Sequence, residues 1–363
     1  MTVLGPFGLL LLAFAVPALS VPPPATVPAY NITRNDNLAV YWGQDGSGKQ
    51  QDLSAYCQDS AIDNVIIAFL DVFRGQGGQP EINLANTCSA SGNAVFGGTS
   101  LADCSFMAPQ IEACQKNGKI VTLSLGGADS KVGFSSDSQA QSFADQIWNS
   151  FLGGSGAPRP FGGAVLDGVD LDIEQGSPSG YAAFVKQIRA RAKGAKKQFF
   201  VTAAPQCPFP DANIGDALNA APFDAVYVQF YNNFCGLDQP KEYNFATWDH
   251  WAKTVSANKD IKVYIGAPAS KDAAGMGYVD VGTLANYAKH AQKTWSSFGG
   301  VMLWEASLAV ANNNFHKTIK TSLSAGAPPR PSIAPTPAGT DTAEPAWVTI
   351  PTRVGGPIII PLH

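Results

Sequence analysis

Leu166-Asp167-Gly168-Val169-Asp170-Leu171-Asp172-Ile173-Glu174 sets acidic and aliphatic side chains in alternation. Along an extended chain successive side chains point to opposite faces. Asp170, Asp172 and Glu174 therefore share one face, and Val169, Leu171 and Ile173 the other. A surface strand turning its acids to water would carry the same pattern. The segments on either side decide between a wet face and an enclosed one.

Short β-branched runs recur at 38–42, 64–70, 119–125, 166–173, 198–203, 225–231, 261–265 and 300–304. Between them lie helix-length stretches with apolar residues at 3.6-type spacing, as in YAAFVKQI (181–188) and in 284–295. Runs such as NVIIAFL and KIVTLSL are almost continuously apolar, which suits strands covered on both faces. Eight β-then-α units predict the α/β class and a single (β/α)8 TIM barrel over residues 37–324. A doubly wound open sheet would want a phosphate loop after its first strand. The run Gly43-Gln44-Asp45-Gly46-Ser47-Gly48-Lys49-Gln50 reads G-x-x-x-x-G-K, but Gln50 stands where a metal-binding hydroxyl is needed. It is read as a Gly-rich βα loop at the mouth of the barrel.

In a barrel the aliphatic set of 166–174 packs under the helices and the three acids turn inward. No face of a central barrel strand other than the mouth is wet, and Glu174, last in the run, lies at the C-terminal mouth where barrel sites are built. Carboxylates at ~6.5–7 Å steps in a low-dielectric interior cannot all ionise. One proton must be shared or kept, and the split separates a general acid from an ionised stabiliser. A Ca²⁺ cage is a weaker reading, because such cages draw ligands from a flexible loop. The four histidines (His250, His290, His316, His363) are scattered without ligand spacing, so neither a metal nor a cofactor is expected.

The 363-residue chain holds 36 Gly and 26 Pro, and only 14% of it is charged, against ~25% in ordinary soluble domains. A net charge of −4 offers no basic field for a nucleic acid. Hydrophobic residues at 45% suffice for a large core. Residues 1–20 carry an apolar run at 9–16, too short to span a bilayer, and then Ala18 and Ser20 at the positions of a cleavage site. A secretory signal peptide is expected there, followed by a Pro-rich linker over 21–36. Six cysteines suit an oxidising compartment, and they allow 15 pairings among which sequence does not choose. Cys207 and Cys235 follow consecutive predicted strands, so a bridge between them is geometrically sensible. Asn31-Ile32-Thr33 is a glycosylation sequon. Nine prolines between Pro328 and Pro361 mark residues 325–363 as a disordered Pro/Thr/Ser-rich tail outside the fold. Ile358-Ile359-Ile360 is too short for a membrane span. A secreted monomer is expected, with cell-wall association through the tail left open.

The chain resembles a known family. LDGVDLDIE fits the D-x-x-D-x-D-x-E signature of family 18 glycoside hydrolases, with Asp167, Asp170, Asp172 and Glu174 in its four places. Ser124-Leu125-Gly126-Gly127 fits that family's S-x-G-G. YWGQ (41–44), AAPQCPFPD (203–211), VQFYNN (228–233) and GGVMLW (299–304) resemble the hevamine-type, class III chitinases, in the family's order, from about residue 37 to 323.

The resemblance implies retaining hydrolysis of β-1,4-linked N-acetylglucosamine polymers, chitin or chito-oligosaccharides, with the substrate's 2-acetamido group as nucleophile. Carried over residue by residue, it implies that Glu174 protonates the glycosidic oxygen and later activates water. It further implies that Asp172 orients the acetamide N–H and steadies the oxazolinium cation, that Asp170 shares a proton with Asp172, and that Tyr231 donates its hydroxyl to the acetamide oxygen. Asp167 has opposite parity and is expected to be structural. The resemblance also implies the bridges Cys57–Cys114 and Cys88–Cys104 beside Cys207–Cys235.

Parity agrees with these roles. Tyr227, Gln229 and Tyr231 share one face of their strand, and Met302 and Trp304 share one face of theirs. Trp304, Gln229 and Met302 are expected to line the sugar pocket, with Trp304 as its floor and Tyr41 and Phe69 as its walls. A catalytically weak chitin-binding lectin or glycosidase inhibitor on the same barrel is the alternative. No room for an inserted α+β lobe exists between residues 265 and 281, so an open groove and endo-type cleavage are expected.

Overall fold

In a computed structural model of the chain, the predicted strands close into a parallel barrel. The structure describes residue 1, residues 30–328 and the strands Trp347–Ile350 and Ile358–Pro361. In chain order the barrel strands are β1 (Asn37–Trp42), β2 (Asn64–Val72), β3 (Ile120–Gly126), β4 (Gly168–Asp172), β5 (Phe200–Ala203), β6 (Ala225–Gln229), β7 (Lys262–Pro268) and β8 (Phe298–Trp304). Each pairs with its neighbours in sequence, and β1 closes the ring by pairing with both β2 (Ala39 opposite Asn64) and β8 (Asn37 opposite Gly300).

The connections carry helices α1 (Leu53–Gln58), α2 (Ala108–Lys116), α3 (Asp137–Phe151), α4 (Tyr181–Ala192), α5 (Gly215–Ala220), α6 (Phe245–Thr254), α7 (Val281–Thr294), α8 (Ala306–Ala311) and α9 (Phe315–Gly326). Side-chain caps start several of them. The Ser136 hydroxyl accepts from Gln139 N–H at α3, and Asp280 accepts from the Gly282 and Thr283 N–H groups at α7. Glu305, directly after Trp304, caps α8 through the Ser307 and Leu308 N–H groups at 3.0 and 2.9 Å.

Strand parity divides the interior into two cores. Outward residues such as Leu38, Val40, Val169 and Leu171 are fully buried under the helices, each worth about 1.5–3 kcal/mol of burial. Inward residues Ala39, Tyr41, Ile66, Tyr227, Tyr264 and Met302 form a smaller core inside the barrel. Register then decides which groups meet. Asp170 on β4 lies opposite Ser124 on β3 and Thr202 on β5. Asp167, of opposite parity, accepts from Val121 N–H and the Gln115 amide and pairs with Lys197 at 3.0 Å, tying strand starts together away from the mouth.

Three disulfides are present: Cys57–Cys114, Cys88–Cys104 and Cys207–Cys235. Between β7 and α7 there is only the short turn Lys271–Ala273, so no lobe is inserted there. The Gly-rich loop after β1 is closed on itself, with the Gln50 side chain accepting from the Gly43 and Asp45 N–H groups at 2.8 and 3.2 Å. Three strands escaped the sequence reading: Trp347–Ile350 and Ile358–Pro361 in the stretch read as a tail, and the two-residue strand Glu81–Ile82, which runs antiparallel to the end of β2. Asn31 of the sequon is exposed.

The barrel belongs to one compact unit. The strands Trp347–Ile350 and Ile358–Pro361 pair antiparallel with each other, where the sequence reading expects a disordered tail. Residues 2–20 of the expected signal peptide at 1–20, residues 21–29 of the expected linker, and the remainder of the Pro-rich tail beyond Pro328 lie outside the described residues. Among the described residues no helix is long and apolar enough to cross a membrane.

Candidate active site

A cavity of about 260 Å³ opens at the C-terminal mouth of the barrel. Glu174, Asp172, Gln229, Tyr231, Trp304, Tyr41 and Phe69, all singled out in the sequence, line it. Glu174 is half-buried, two residues past the end of β4, and Asp172 beneath it is 4% exposed. Asp170, one step deeper, is fully buried and lies below the lining. Its Oδ2 accepts from the Tyr41 and Ser124 hydroxyls and its Oδ1 from the Thr202 hydroxyl, each at 2.7 Å.

The Gln229 amide connects the two outer acids. Its Nε2 donates to Asp172 Oδ1 at 2.9 Å and to Glu174 Oε1 at 3.4 Å, and is anchored on the Ala204 carbonyl at 3.0 Å. Asp211 on the loop after β5 adds negative charge. Its carboxylate is held by the Gln206, Asn213 and Ile214 N–H groups at 2.7–2.8 Å.

Burial pushes the Asp172 carboxyl well above the ordinary carboxylate range, and the charges of Glu174, Asp170 and Asp211 and the hydrogen bond it donates to Glu174 push it further. Glu174 is also raised, chiefly by burial, against the Gln229 and Asp172 hydrogen bonds that favour its charged form. Asp170 is raised by burial in spite of its three hydroxyl donors. Asp172 and Glu174 thus share a proton at pH values where free carboxylates have lost theirs. Burial beside these acids likewise keeps the Tyr231 and Tyr41 phenols protonated.

Aromatic rings form one wall. Phe69 and Trp304 stack with centroids 5.7 Å apart, and Tyr41 meets Trp304 at 5.5 Å. The opposite approach is made close by glycine. A Cβ on Gly126, whose φ is +123°, would stand 2.0 Å from the Asp172 carbonyl oxygen, and one on Gly127 would stand 2.9 Å from the Phe69 ring. The sequence S-x-G-G therefore lets β3 lie against the acid-bearing strand and the aromatic wall.

Met302 departs from expectation. It is fully buried in the inner core and does not line the cavity. Its parity matches Trp304, but it sits two residues lower, so the right face comes with the wrong depth. The structure adds Gln44, Asp71, Asn83, Asp129, Ser130 and Asn232 to the lining. Gln44 and Asn232 stand inside motifs already visible in the sequence. Asp71, Asn83, Asp129 and Ser130 lie at strand ends or in loops, where no periodicity marks them.

Comparison with known proteins places this geometry. Residues 37–297, from the first residue of β1 to the residue before β8, match the model of "Glycosyl hydrolases family 18". Chitinase 1 of Rhizopus niveus is 46% identical over 298 residues, covering 81% of this chain. The chain spans 58% of that relative's length. Among solved structures, ICChI chitinase from Ipomoea carnea superposes with a TM-score of 0.67 at 32% identity, covering 79% of this chain and 99% of that one. The xylanase and α-amylase inhibitor protein XAIP-II from Scadoxus multiflorus reaches the same TM-score of 0.67 at 33% identity, covering 78% and 97%. The matched region carries the Asp170–Asp172–Glu174 ladder, Gln229 and Tyr231, and on this ground the chain belongs to family 18 of the glycosyl hydrolases.

Proposed function

We propose that this chain hydrolyses β-1,4-linked N-acetylglucosamine polymers as a secreted, monomeric endochitinase. The observation that carries the reading is the Asp172–Glu174 pair, bridged by the Gln229 amide at the wet end of the ladder and lining one cavity with Tyr231. A neutral sugar polymer suits a cavity walled by Trp304, Phe69 and Tyr41.

Glu174 donates its proton to the glycosidic oxygen as the C1–O bond breaks, and the leaving sugar departs as an alcohol. The substrate's own acetamide oxygen attacks C1 from the opposite side and forms an oxazolinium ion. Asp172 faces the acetamide N–H and balances the cation, and Tyr231 donates to the acetamide oxygen. Asp170 shares a proton with Asp172, and its negative charge raises the proton affinity above it. Glu174, now ionised, takes a proton from water as that water opens the oxazolinium ion, so C1 ends with its starting configuration. The signal peptide, the glycan on Asn31, endo-type cleavage and any cell-wall role of the tail belong to this same proposal.

A non-catalytic sugar binder or inhibitor has one observation in its favour: an inhibitor superposes on the barrel as well as a chitinase does. Fold likeness does not separate the two. Hydrolysis of a soluble chitin hexamer by wild type and Glu174→Gln does. The expected result is β-anomeric product from the wild type and a 10²–10⁴-fold fall in kcat for the variant, with unchanged circular dichroism. Wild-type rates in Glu174→Gln overturn the assignment, and a wild-type protein that binds the hexamer without cleaving it establishes the binder.

A further inference from the structure

The end of the barrel opposite the mouth carries a second cleft of about 540 Å³, inside the ~300–1,000 Å³ span of small-ligand sites. Arg34 ahead of β1, Lys262 at the start of β7, Lys293 and Trp295 around the end of α7 and Pro328 past α9 line it. Among the described residues no Asp or Glu does, so its charged lining groups are all donors. The Arg34 guanidinium has spent Nε and Nη2 on the Asp36 carboxylate at 2.7 and 2.9 Å and on the Pro328 carbonyl at 2.7 Å. Its Nη1 makes no hydrogen bond among the described residues.

Asn31 of the sequon lines the same cleft. Its backbone has a fixed place. The Asn31 carbonyl accepts from Asn37 Nδ2 at 2.9 Å, Tyr30 N–H donates to the Gly118 carbonyl at 2.7 Å, and Ile32 packs against the inner core. The side chain is exposed, and its Oδ1 accepts from the Thr33 N–H at 2.9 Å and the Thr33 hydroxyl at 2.8 Å. These bonds set the plane of the amide, and Nδ2, the atom to which a sugar is joined, makes no hydrogen bond among the described residues.

We propose that this cleft is the seat of the innermost N-acetylglucosamine of a glycan on Asn31, which clamps the segment before β1 to the corner between α7 and β8. The sugar's hydroxyls and acetamide carbonyl accept from the surrounding cations, and its pyranose face meets the Trp295 indole. A free anion would meet the same donors, but a sugar joined to a lining residue stands at an effective concentration of ~mM or more and wins the place. The proposal rests on the reading of the chain as secreted and glycosylated at Asn31, and adds where the sugar lies and what it holds.

The test uses the full chain secreted from a eukaryotic host and trimmed by an endoglycosidase to a single N-acetylglucosamine, compared with Asn31→Gln. Peptide mass spectrometry should find that one sugar on Asn31. Amide hydrogen exchange over 30–36 and 292–297 should be slower by about tenfold in the glycosylated protein, and its melting temperature higher by about 2–4 °C. Lys293→Ala, at an exposed position, should keep the sugar and lose much of that protection. Removing the last sugar from the folded protein with peptide N-glycosidase gives the same comparison without folding a variant. An unmodified Asn31 overturns the seat together with the expected glycan. A modified Asn31 with unchanged exchange in both segments overturns the seat alone. The rate on chitin hexamer, measured on the same samples, should be equal in all of them, because the cleft lies at the far end of the barrel from Glu174. A protein that carries the protected sugar and leaves the hexamer uncut supports the seat and overturns only the proposed hydrolysis.

Discussion

The Gln229 amide donates to Asp172 at 2.9 Å and reaches Glu174 at 3.4 Å, so one neutral donor serves both members of the raised carboxylate pair. An amide N–H favours the ionised form of each acid it touches. It opposes the burial and mutual repulsion that hold the proton in place. Gln229 is 5% exposed and is itself fixed by the Ala204 carbonyl, so the pair cannot easily draw this donor away.

Replacing it by leucine should therefore move a titration. With its donor gone, the Glu174 carboxyl rises further from the ordinary range, since the Gln229 bond is the largest influence lowering it. Activity that needs Glu174 protonated is lost as pH rises through its pKa. The alkaline limb of kcat/KM in Gln229→Leu should therefore lie at higher pH than in the wild type, with a lower maximum. A pH–rate profile on a soluble oligomer checks this. An unmoved limb, or one displaced to lower pH, removes Gln229 from the titrating unit.

The raised carboxyls also bear on folding stability. Asp170, Asp172 and Glu174 have folded-state pKa values above their unfolded ones, so the folded chain binds more protons in that window. Stability must then fall as pH rises from the ordinary carboxylate range through the raised values, by about 1.4 kcal/mol for each pH unit that separates a folded pKa from its unfolded one. Asp59 works in the opposite direction. Its bonds to His316 and the Ala61 N–H, and the nearby Lys317 charge, outweigh burial and depress it, so its contribution is lost as pH falls below the ordinary range. Greatest stability is expected in mildly acidic solution. Melting temperature should be higher near about pH 5 than at neutral pH. Asp172→Asn should flatten that difference, and a wild type whose melting temperature climbs steadily toward neutral pH contradicts the shared-proton description.

The alternation in 166–174 carried most of what could be read in advance, because parity is a property of extended backbone and survives errors in strand ends. The strand runs over Gly168–Asp172, shorter than the predicted 166–173, yet Asp170, Asp172 and Glu174 keep their face. Depth is another matter. Met302 has the parity of Trp304 but lies in the inner core, because the distance of a residue from the mouth depends on strand tilt and stagger that no local pattern records. Asp71 and Asp129 illustrate a second limit. Both reach the lining of the cavity through tertiary placement of loops, with Lys131 N–H on the Asp71 carbonyl and the Gln175 amide on the Ala128 and Ser130 carbonyls. Of the cysteine pairs, Cys207–Cys235 follows from the order of the strands, whereas Cys57–Cys114 and Cys88–Cys104 come only through the resemblance.

Trp304 provides the test of how the cavity holds its sugar. The indole is half-buried, stacked on Phe69 and edge-on to Tyr41, and the Glu305 cap on α8 fixes the backbone that follows it. A ring held in this way keeps its orientation before substrate arrives, so little entropy is lost when a pyranose covers it. Trp304→Ala should raise KM for a chitin oligomer about tenfold, the scale of one lost aromatic contact. Trp304→Phe should recover much of that affinity, since it preserves a stacking face. If Trp304→Ala instead lowers kcat with KM unchanged, the ring acts on the transition state alone and not as the floor on which the bound sugar rests. The Phe variant separates both outcomes from collapse of the wall, because a phenyl ring still fills the space between Phe69 and Tyr41.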